Sequence, residues 1–560
     1  MTVSVSSLLA GDQAMKPLGR SILVLAMLMG LSGCGDRPQA SADNPDSWQT
    51  QGRGFEKVRG MAVAGLFYPR HKDDLTKAVD GYLKDAKPEA IENVRGLVCP
   101  HAGYEYSGAT AAFGYKLLAG RDIRTVVVMG PSHYATFQGA SIPDVDAYET
   151  PLGMIPLSPK AAELAKLAPF VVNPRCKVVR PDRGQWLKAP KELPPFGEDT
   201  PHTWEHSLEV QLPFLQRTLK DFSIVPVVFG NPSTPQEAPV DAEQVANVLL
   251  KHLDDKTLLV ASSDLSHFHT YEAARGLDTT CCKAICSLNT EWMERQEACG
   301  KGPLLALMHV ARKMGWKAKL LDYRNTGDVT GERSRGVVGY AAVAFYDSRG
   351  AADTRPTSGW CPPPERIEQG KPTTQQQAFL LKLARRTLDE VVSHRRLPQV
   401  DSAEVPQGLT ESRACFVTLN KDGRLRGCVG DIFPRRPLYQ AVVYSAAGAA
   451  VVDQRFLPVG ADELAQIEIE ISLLSLPASL EFKSPQELLE KLRPGVDGVV
   501  LRVGQQQATY LPQVWQQIPD KEEFLRHLAE KAGLEGSAWR DPKARILVYQ
   551  AEAFHEKSEK

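Results

Sequence analysis

The chain has 560 residues, 24% of them charged and 43% hydrophobic, with a formal net charge of −1. That balance describes globular material for roughly two to four domains, and with no basic run of useful length it excludes a nucleic-acid-binding chain. In chain order, the first signal lies behind Met15, where Lys16 and Arg20 precede the apolar run Ile22 to Leu31. That run is too short to cross a bilayer and has the length of a signal h-region. It ends in Leu31-Ser32-Gly33-Cys34, and the following residues 35–55, rich in Asp, Pro, Ser and Gln, read as a flexible tether.

The Leu31–Cys34 ending resembles the bacterial lipobox. The resemblance implies that residues 1–34 are a lipoprotein signal peptide, that Cys34 is lipidated, and that the acyl chains anchor the protein in a membrane. Gly35, standing where an Asp would direct inner-membrane retention, implies the outer membrane, facing the periplasm. Of the ten cysteines, nine remain once Cys34 is set aside, and their spacing shows no disulfide framework.

From Met61 to Phe345 apolar strands alternate with amphipathic helices. The expected strands are 96–99, 125–129, 223–229, 257–261, 317–323 and 337–345; the expected helices are 109–118, 159–167, 207–219, 242–253 and 302–314. This order predicts an α/β domain with a mainly parallel sheet flanked by helices. Three strand ends carry a histidine: His101 in Val98-Cys99-Pro100-His101, His133 in Gly130-Pro131-Ser132-His133, and His267 in Ser262-Ser263-Asp264-Leu265-Ser266-His267. The carboxyl ends of strands are where open α/β sheets bind ligands. Glu205-His206 precedes the helical stretch at 207. His206 there can give or take a proton, while Glu205 reads either as its partner or as a cap of that helix. Asp264 reads as the group that orients His267 or caps the segment after it. Cys281, Cys282 and Cys286 fall in a helical stretch and read as small buried hydrophobes, with a metal cluster as the alternative. Residues 177–204, carrying Pro181, Pro190, Pro194, Pro195 and Pro201, read as a long loop and, from their position, as a lid.

The blocks Ala62–Pro69, Pro100–Gly108, Gly130–His133, Glu205–Glu209, Ser262–His267 and Ala298–Gly300 together resemble the Memo-like family, over residues 56–348. That family resembles class III extradiol dioxygenases, whose non-haem iron is held by two histidines and a carboxylate. The resemblance implies a metal site of His101, His133 and Cys299, with His267 as a nearby catalytic histidine and a divalent transition metal as cofactor. Two imidazoles and one anionic ligand suit such an ion and leave positions open. Thiolate in place of carboxylate softens the site, so iron, copper and zinc all enter.

Residues 349–372, including Cys361-Pro362-Pro363-Pro364, shift in composition and read as a linker. The second domain, 373–558, opens with an amphipathic helix at 375–394. It continues with a hairpin of Ala414–Leu419 and Leu425–Gly430 across Asn420-Lys421-Asp422-Gly423, a helix at 438–450, a strand at 467–474 and a helix at 521–532. Leu425-Arg426-Gly427-Cys428-Val429-Gly430 resembles the hallmark of the AMMECR family, an α+β domain. Cys428, between two glycines and beside Arg426, reads either as a reactive, catalytic thiol or as a buried cysteine at a close contact of sheet and helix.

Memo-like and AMMECR halves in one chain resemble the A and B components of the AmmeMemoRadiSam system, which implies a functional link to a radical SAM protein. Export of this chain would separate it from such a cytosolic partner. Two functions follow: a metal-dependent oxidoreductase acting on a small molecule, or a metal- or redox-binding scaffold that recognises a peptide or partner without catalysis.

Overall fold

In the computed structural model of the chain, residues 54–181, 198–231, 239–348, 371–401, 404–504 and 506–556 are described. The expectations for the signal segment with Cys34, for nearly all of the tether, for the linker with Cys361 and for the 182–197 part of the proposed lid lie outside them. Among the described residues, no helix is long and apolar enough to cross a membrane. The described residues form two compact units, one ending at 348 and the other beginning at 371.

The first unit is built on a mixed sheet, ten-stranded among the described residues, whose centre is four parallel strands. Their spatial order is Val94–Cys99, Thr257–Ser262, Thr125–Thr136, Ser223–Asn231. All four are near-continuous apolar runs with buried residues on both faces, as a sheet sandwiched between helices requires. The strand latest in sequence is inserted between the first and the second. That crossover brings the carboxyl ends of three strands, each followed or carried through by a histidine motif, side by side.

The parallel description holds for this centre, while the strands that join it on either side, Val337–Tyr346 and Ala140–Ile142, are antiparallel to it, and Phe170–Val172 adds parallel to the latter. Lys317–Asn325 and Val337–Tyr346 pair with each other, and the latter adds to Val94–Cys99. The reversal follows from their short connection. Asn325 caps the single-turn helix Thr326–Thr330, which ends at Gly331 with φ 79°, too little chain for the crossover that a parallel pair needs. Other elements differ from expectation: the helix expected over 109–118 is Tyr104–Lys116, those over 159–167 and 242–253 end at Leu164 and Leu249, and two differences bear on the site. The strand expected to stop at Met129 runs on to Thr136, tied by Asn231 Nδ2, which donates to the Ser132 carbonyl at 2.6 Å, so His133 sits on the strand. The helix expected over 207–219 begins only at Glu209, as a 3₁₀ turn to Gln211 followed by Leu212–Thr218.

Among the described residues the second unit has two four-stranded antiparallel sheets. The first runs Arg424–Gly430, Cys415–Lys421, Ile467–Leu474, Ala551–His555. Its hairpin turns through Asp422 and Gly423, both at positive φ (51° and 71°), the conformation an Asp-Gly pair favours. Val417, Leu419, Ile469 and Ile471 on one face pack with Leu380, Leu388 and Val442 from the helices Thr374–His394 and Leu438–Val451. The second sheet, built on Gly498–Val503, Gln506–Tyr510 and Arg545–Tyr549, has its own core, in which Trp515 stacks on Phe524 with ring centroids 3.6 Å apart.

Candidate metal centre

His101 lies two residues past the end of Val94–Cys99, and its main-chain N–H donates to Asp264 Oδ1 at 2.7 Å. Its ring Nδ1 is 2.9 Å from Ser262 Oγ. That hydroxyl has one proton, which it gives to the Ser207 carbonyl at 2.7 Å, while accepting from Gln211 Nε2 at 2.8 Å. Its remaining capacity is a lone pair, so Nδ1 of His101 must be the donor. Nε2 of the neutral ring is therefore the lone-pair nitrogen, and it points to Cys299 Sγ, 3.1 Å away.

His133 is arranged by the same logic with a different partner. Its Nδ1 is 2.9 Å from Glu205 Oε1, and its main-chain N–H donates to Oε2 of the same carboxylate at 2.7 Å. A carboxylate only accepts, so Nδ1 carries the proton and Nε2 is left for the site. Where a proton rather than an ion occupies Nε2, burial acts to raise the Cys299 thiol, but the charge of His101 and hydrogen bonds from His101 and His133 outweigh it and bring the thiol down to about 7. His133 is opposed by burial and lifted to about 10, first by the Glu205 carboxylate and then by Cys299, so at neutral pH its Nε2 carries a proton that an incoming ion has to displace.

Cys299 is delivered from the other side of the strand ends. Its main-chain N–H donates to the Asp264 carbonyl at 3.2 Å, and its Sγ accepts the Asp264 N–H at 3.1 Å. Gly300, ahead of the helix Lys301–Met314, makes that approach sterically feasible, because a Cβ there would run into the Ser262 carbonyl. The ligand atoms of His101, His133 and Cys299 all lie within 4.8 Å of one another. Two imidazole nitrogens with locked tautomers and one sulfur of lowered pKa form a donor set that fits a divalent first-row ion.

His206 completes a three-ring cluster, its centroid 4.4 Å from that of His133 and 5.4 Å from that of His101. It is buried, its Nδ1 has no hydrogen-bond partner, and Glu205 Oε1 is 3.6 Å away. Burial, then the charge of His133, holds it well below the usual imidazole range, so it is neutral. With His133 and Glu205 it forms the second group of residues able to hold a metal among those described. Glu205 does not cap a helix, since the helical turn starts four residues later; its carboxylate serves His133 and the Ser207 N–H (2.8 Å). Replacing Glu205 by Gln is expected to weaken metal binding about tenfold, the low end of what loss of such a supporting carboxylate does. Competition against a chelator of known affinity measures this, and an unchanged affinity would remove Glu205 from the site.

Asp264 also differs from expectation. Its carboxylate holds the His101 main chain, while His267 binds elsewhere: ring Nδ1 to the Leu265 carbonyl at 2.8 Å and main-chain N–H to Glu297 Oε1 at 3.0 Å. Burial raises the Asp264 pKa and the nearby charge of His267 opposes the rise. Among the described residues His267 makes its ring contact with Phe268, at 5.8 Å, and stands outside the three-ring cluster. Cys281 and Cys282 are buried in the helix Tyr271–Cys286 and lie in neither metal-holding group.

In the second unit Cys428 sits on the edge strand Arg424–Gly430. The cues that suggested a thiolate have other causes. Arg426 turns away to Glu463, at 2.8 Å, and to the Leu457 carbonyl. Gly427 is where the strand meets the helix Leu438–Val451, since a Cβ would strike the Ala449 carbonyl. Burial raises the Cys428 pKa, against a hydrogen bond from Thr418 and the charge of Arg455.

Comparison with known proteins agrees with this division. The Memo-like protein family matches residues 59–177 and 179–344, and the AMMECR1 family matches residues 381–554. A MEMO1 family protein of Methanosarcina acetivorans is 34% identical over 295 residues, covering 51% of this chain and 98% of its own length. One from Methanocaldococcus jannaschii is 34% identical over 313 residues, covering 52% of this chain and 99% of its own. Among solved structures, the uncharacterized protein PH0010 from Pyrococcus horikoshii matches at 34% identity over 33% of this chain and 93% of that one, with a TM-score of 0.32. The chain belongs to the Memo-like family and carries, beyond its Memo-like domain, an AMMECR1 domain.

Proposed function

We propose that the Memo-like domain is a metal-dependent oxidoreductase with a dioxygenase-like site, acting on a small molecule. The observation that carries this reading is the convergence of two histidine side chains and the Cys299 sulfur, each histidine held by a hydrogen bond on Nδ1 that leaves Nε2 for an ion. His101, His133 and Cys299 would hold the ion, iron in the first instance, with copper or zinc also suited to a thiolate-containing set. When bound, the ion supplies Lewis acidity and, for iron or copper, electron transfer.

The chain's own residues set the rest of the chemistry. Glu205 and Ser262 keep both imidazoles in the ligating tautomer. His206, buried, neutral and lacking a partner at Nδ1, is placed to hold or pass a proton beside His133. His267 has its Nδ1 engaged with the Leu265 carbonyl, which leaves Nε2 as the nitrogen it can offer. A second reading, a metal- or redox-binding scaffold, is favoured by the thiolate that stands where a dioxygenase has a carboxylate. Anaerobic purification followed by elemental analysis tests the ion, and a near-stoichiometric transition metal is expected. His267→Ala then separates the readings: an enzyme loses metal-dependent turnover with its ion retained, whereas a scaffold keeps its binding.

A further inference from the structure

The segment from Glu205 to Gln211, which closes in the 3₁₀ turn Glu209–Gln211, grips three of the four parallel strands near the metal centre. Glu205 holds His133 by its main-chain N–H and by its ring Nδ1. Ser207 Oγ donates to the Pro131 carbonyl of the same strand at 3.1 Å, and Gly130 makes room for it, since a Cβ there would overlap that oxygen. The Ser207 carbonyl takes the hydroxyl proton of Ser262, the last residue of Thr257–Ser262. Gln211 reaches the third strand, Val94–Cys99, just beyond its end.

Gln211 is buried, as are Tyr115 and Ser262. Its Nε2 donates to the Pro100 carbonyl at 2.9 Å and to Ser262 Oγ at 2.8 Å, while its Oε1 accepts the Tyr115 hydroxyl at 2.6 Å. The amide has only one orientation open to it. A carbonyl can only accept, so the nitrogen must face Pro100, and the oxygen is left for Tyr115. Both amide protons are thereby committed, one to the main chain immediately before His101 and the other to the hydroxyl that receives the His101 Nδ1 proton. Glu205 treats His133 in the same way, taking hold of main chain and ring together. The two arms differ in charge. The one to His133 ends in a carboxylate, whereas the one to His101 is neutral from Tyr115 through Gln211 to Ser262, with every polar group in it hydrogen-bonded, as burial requires.

We propose that Gln211 is a positioning residue of the metal centre, doing for His101 what Glu205 does for His133, and that the Glu205–Gln211 turn sets the spacing of the two imidazoles. The rings stand 5.1 Å apart at an interplanar angle of 82°. An ion whose bonds to nitrogen are about 2 Å long tolerates little change in that arrangement. One turn that carries both arms moves both imidazoles together, which two separate supports would not do. The inference rests on the reading of His101, His133 and Cys299 as ligands.

Cobalt(II) titrated into the metal-free full-length chain tests the assignment, because a cobalt–thiolate pair gives a charge-transfer band whose position reports the ligand geometry. Gln211→Met keeps the length of the side chain and removes its hydrogen bonds. It is expected to lower the cobalt affinity about tenfold, the scale for losing a group that supports a ligating histidine, and to shift the band. Gln216→Met is the control for a merely structural effect. Gln216 is also buried, on the helix Leu212–Thr218, and bonds to the Thr150 hydroxyl and the Gly153 carbonyl. Its loss should lower thermal stability while leaving cobalt affinity and band as in the wild type. If Gln211→Met does not fold, Tyr115→Phe carries the test: it frees the far end of the amide, and a weaker affinity with a shifted band is expected. Wild-type affinity and band in the folded Gln211 variant, or an equal loss in Gln216→Met, overturns the proposal. A wild type that binds no cobalt removes the metal centre itself, and this inference with it.

Discussion

Replacing Cys299 by alanine is expected to leave the purified chain with only a trace of transition metal, a loss of affinity greater than about a hundredfold. Removal of a supporting carboxylate alone costs about 10–100-fold, and Cys299 is the one anionic donor of the proposed set. Without it, His101 and His133 offer two neutral nitrogens, too few to fix a divalent ion in competition with water. The alanine also strands the Asp264 N–H, which now donates to Cys299 Sγ at 3.1 Å, at a stability cost of about 1–3 kcal/mol. Cys299→Ser separates the two effects. A serine hydroxyl can still accept from that N–H but is a poor ligand when neutral, so the serine variant should match the wild type in thermal unfolding and the alanine variant in metal content. Retention of near-stoichiometric metal in both variants would move the site away from Cys299.

The parts of this centre that a sequence can show are the ones written locally. His101 and His133 each follow an apolar run broken by a proline or glycine, and the run itself forecasts a strand end. His267 follows an equally good run, yet its ring is drawn to the Leu265 carbonyl and its backbone to Glu297, contacts that hydrophobic periodicity does not encode. The role of Glu205 was out of reach for a related reason. Its partner His133 lies 72 residues earlier, and beside a helical pattern a glutamate reads as a cap. Ser262 and Gln211, which settle the His101 tautomer, carried no signal because each lies inside an apolar segment.

The fold divides along the same line. Long apolar runs located the starts of the four central strands to within two residues, whereas short edge strands such as Ala140–Ile142 and Phe170–Val172 are too brief to show a period. Around Cys428 the local cues pointed at chemistry, and their causes were structural. Gly427 answers to the Ala449 carbonyl, and Arg426 to Glu463. The cation that does reach this residue, Arg455 on the Cys428 carbonyl, is 27 positions further along the chain.

Glu209→Ala is expected to be the most destabilising single change in the Memo-like domain, by about 3–5 kcal/mol, because it removes one partner from a buried ion pair. Arg59 and Glu209 pair with side-chain exposures of 5% and 0%. The same carboxylate accepts the Ala62 N–H at 2.8 Å, the Val63 N–H at 3.0 Å and the Tyr68 hydroxyl at 2.6 Å. Alanine would leave a buried guanidinium without a counter-charge and three donors without an acceptor. Arg59 also donates to the Glu205 carbonyl at 2.6 Å, so its displacement loosens the residue that holds His133, and metal affinity should fall along with stability. A drop in Tm on the order of 10 °C is expected for a domain of this size. The double variant Arg59→Met, Glu209→Leu should recover much of it, since the unpaired charge is gone, but not all, since the Ala62 and Val63 N–H groups stay unsatisfied. If Glu209→Ala unfolds within a degree or two of the wild type, this pair does not anchor the domain.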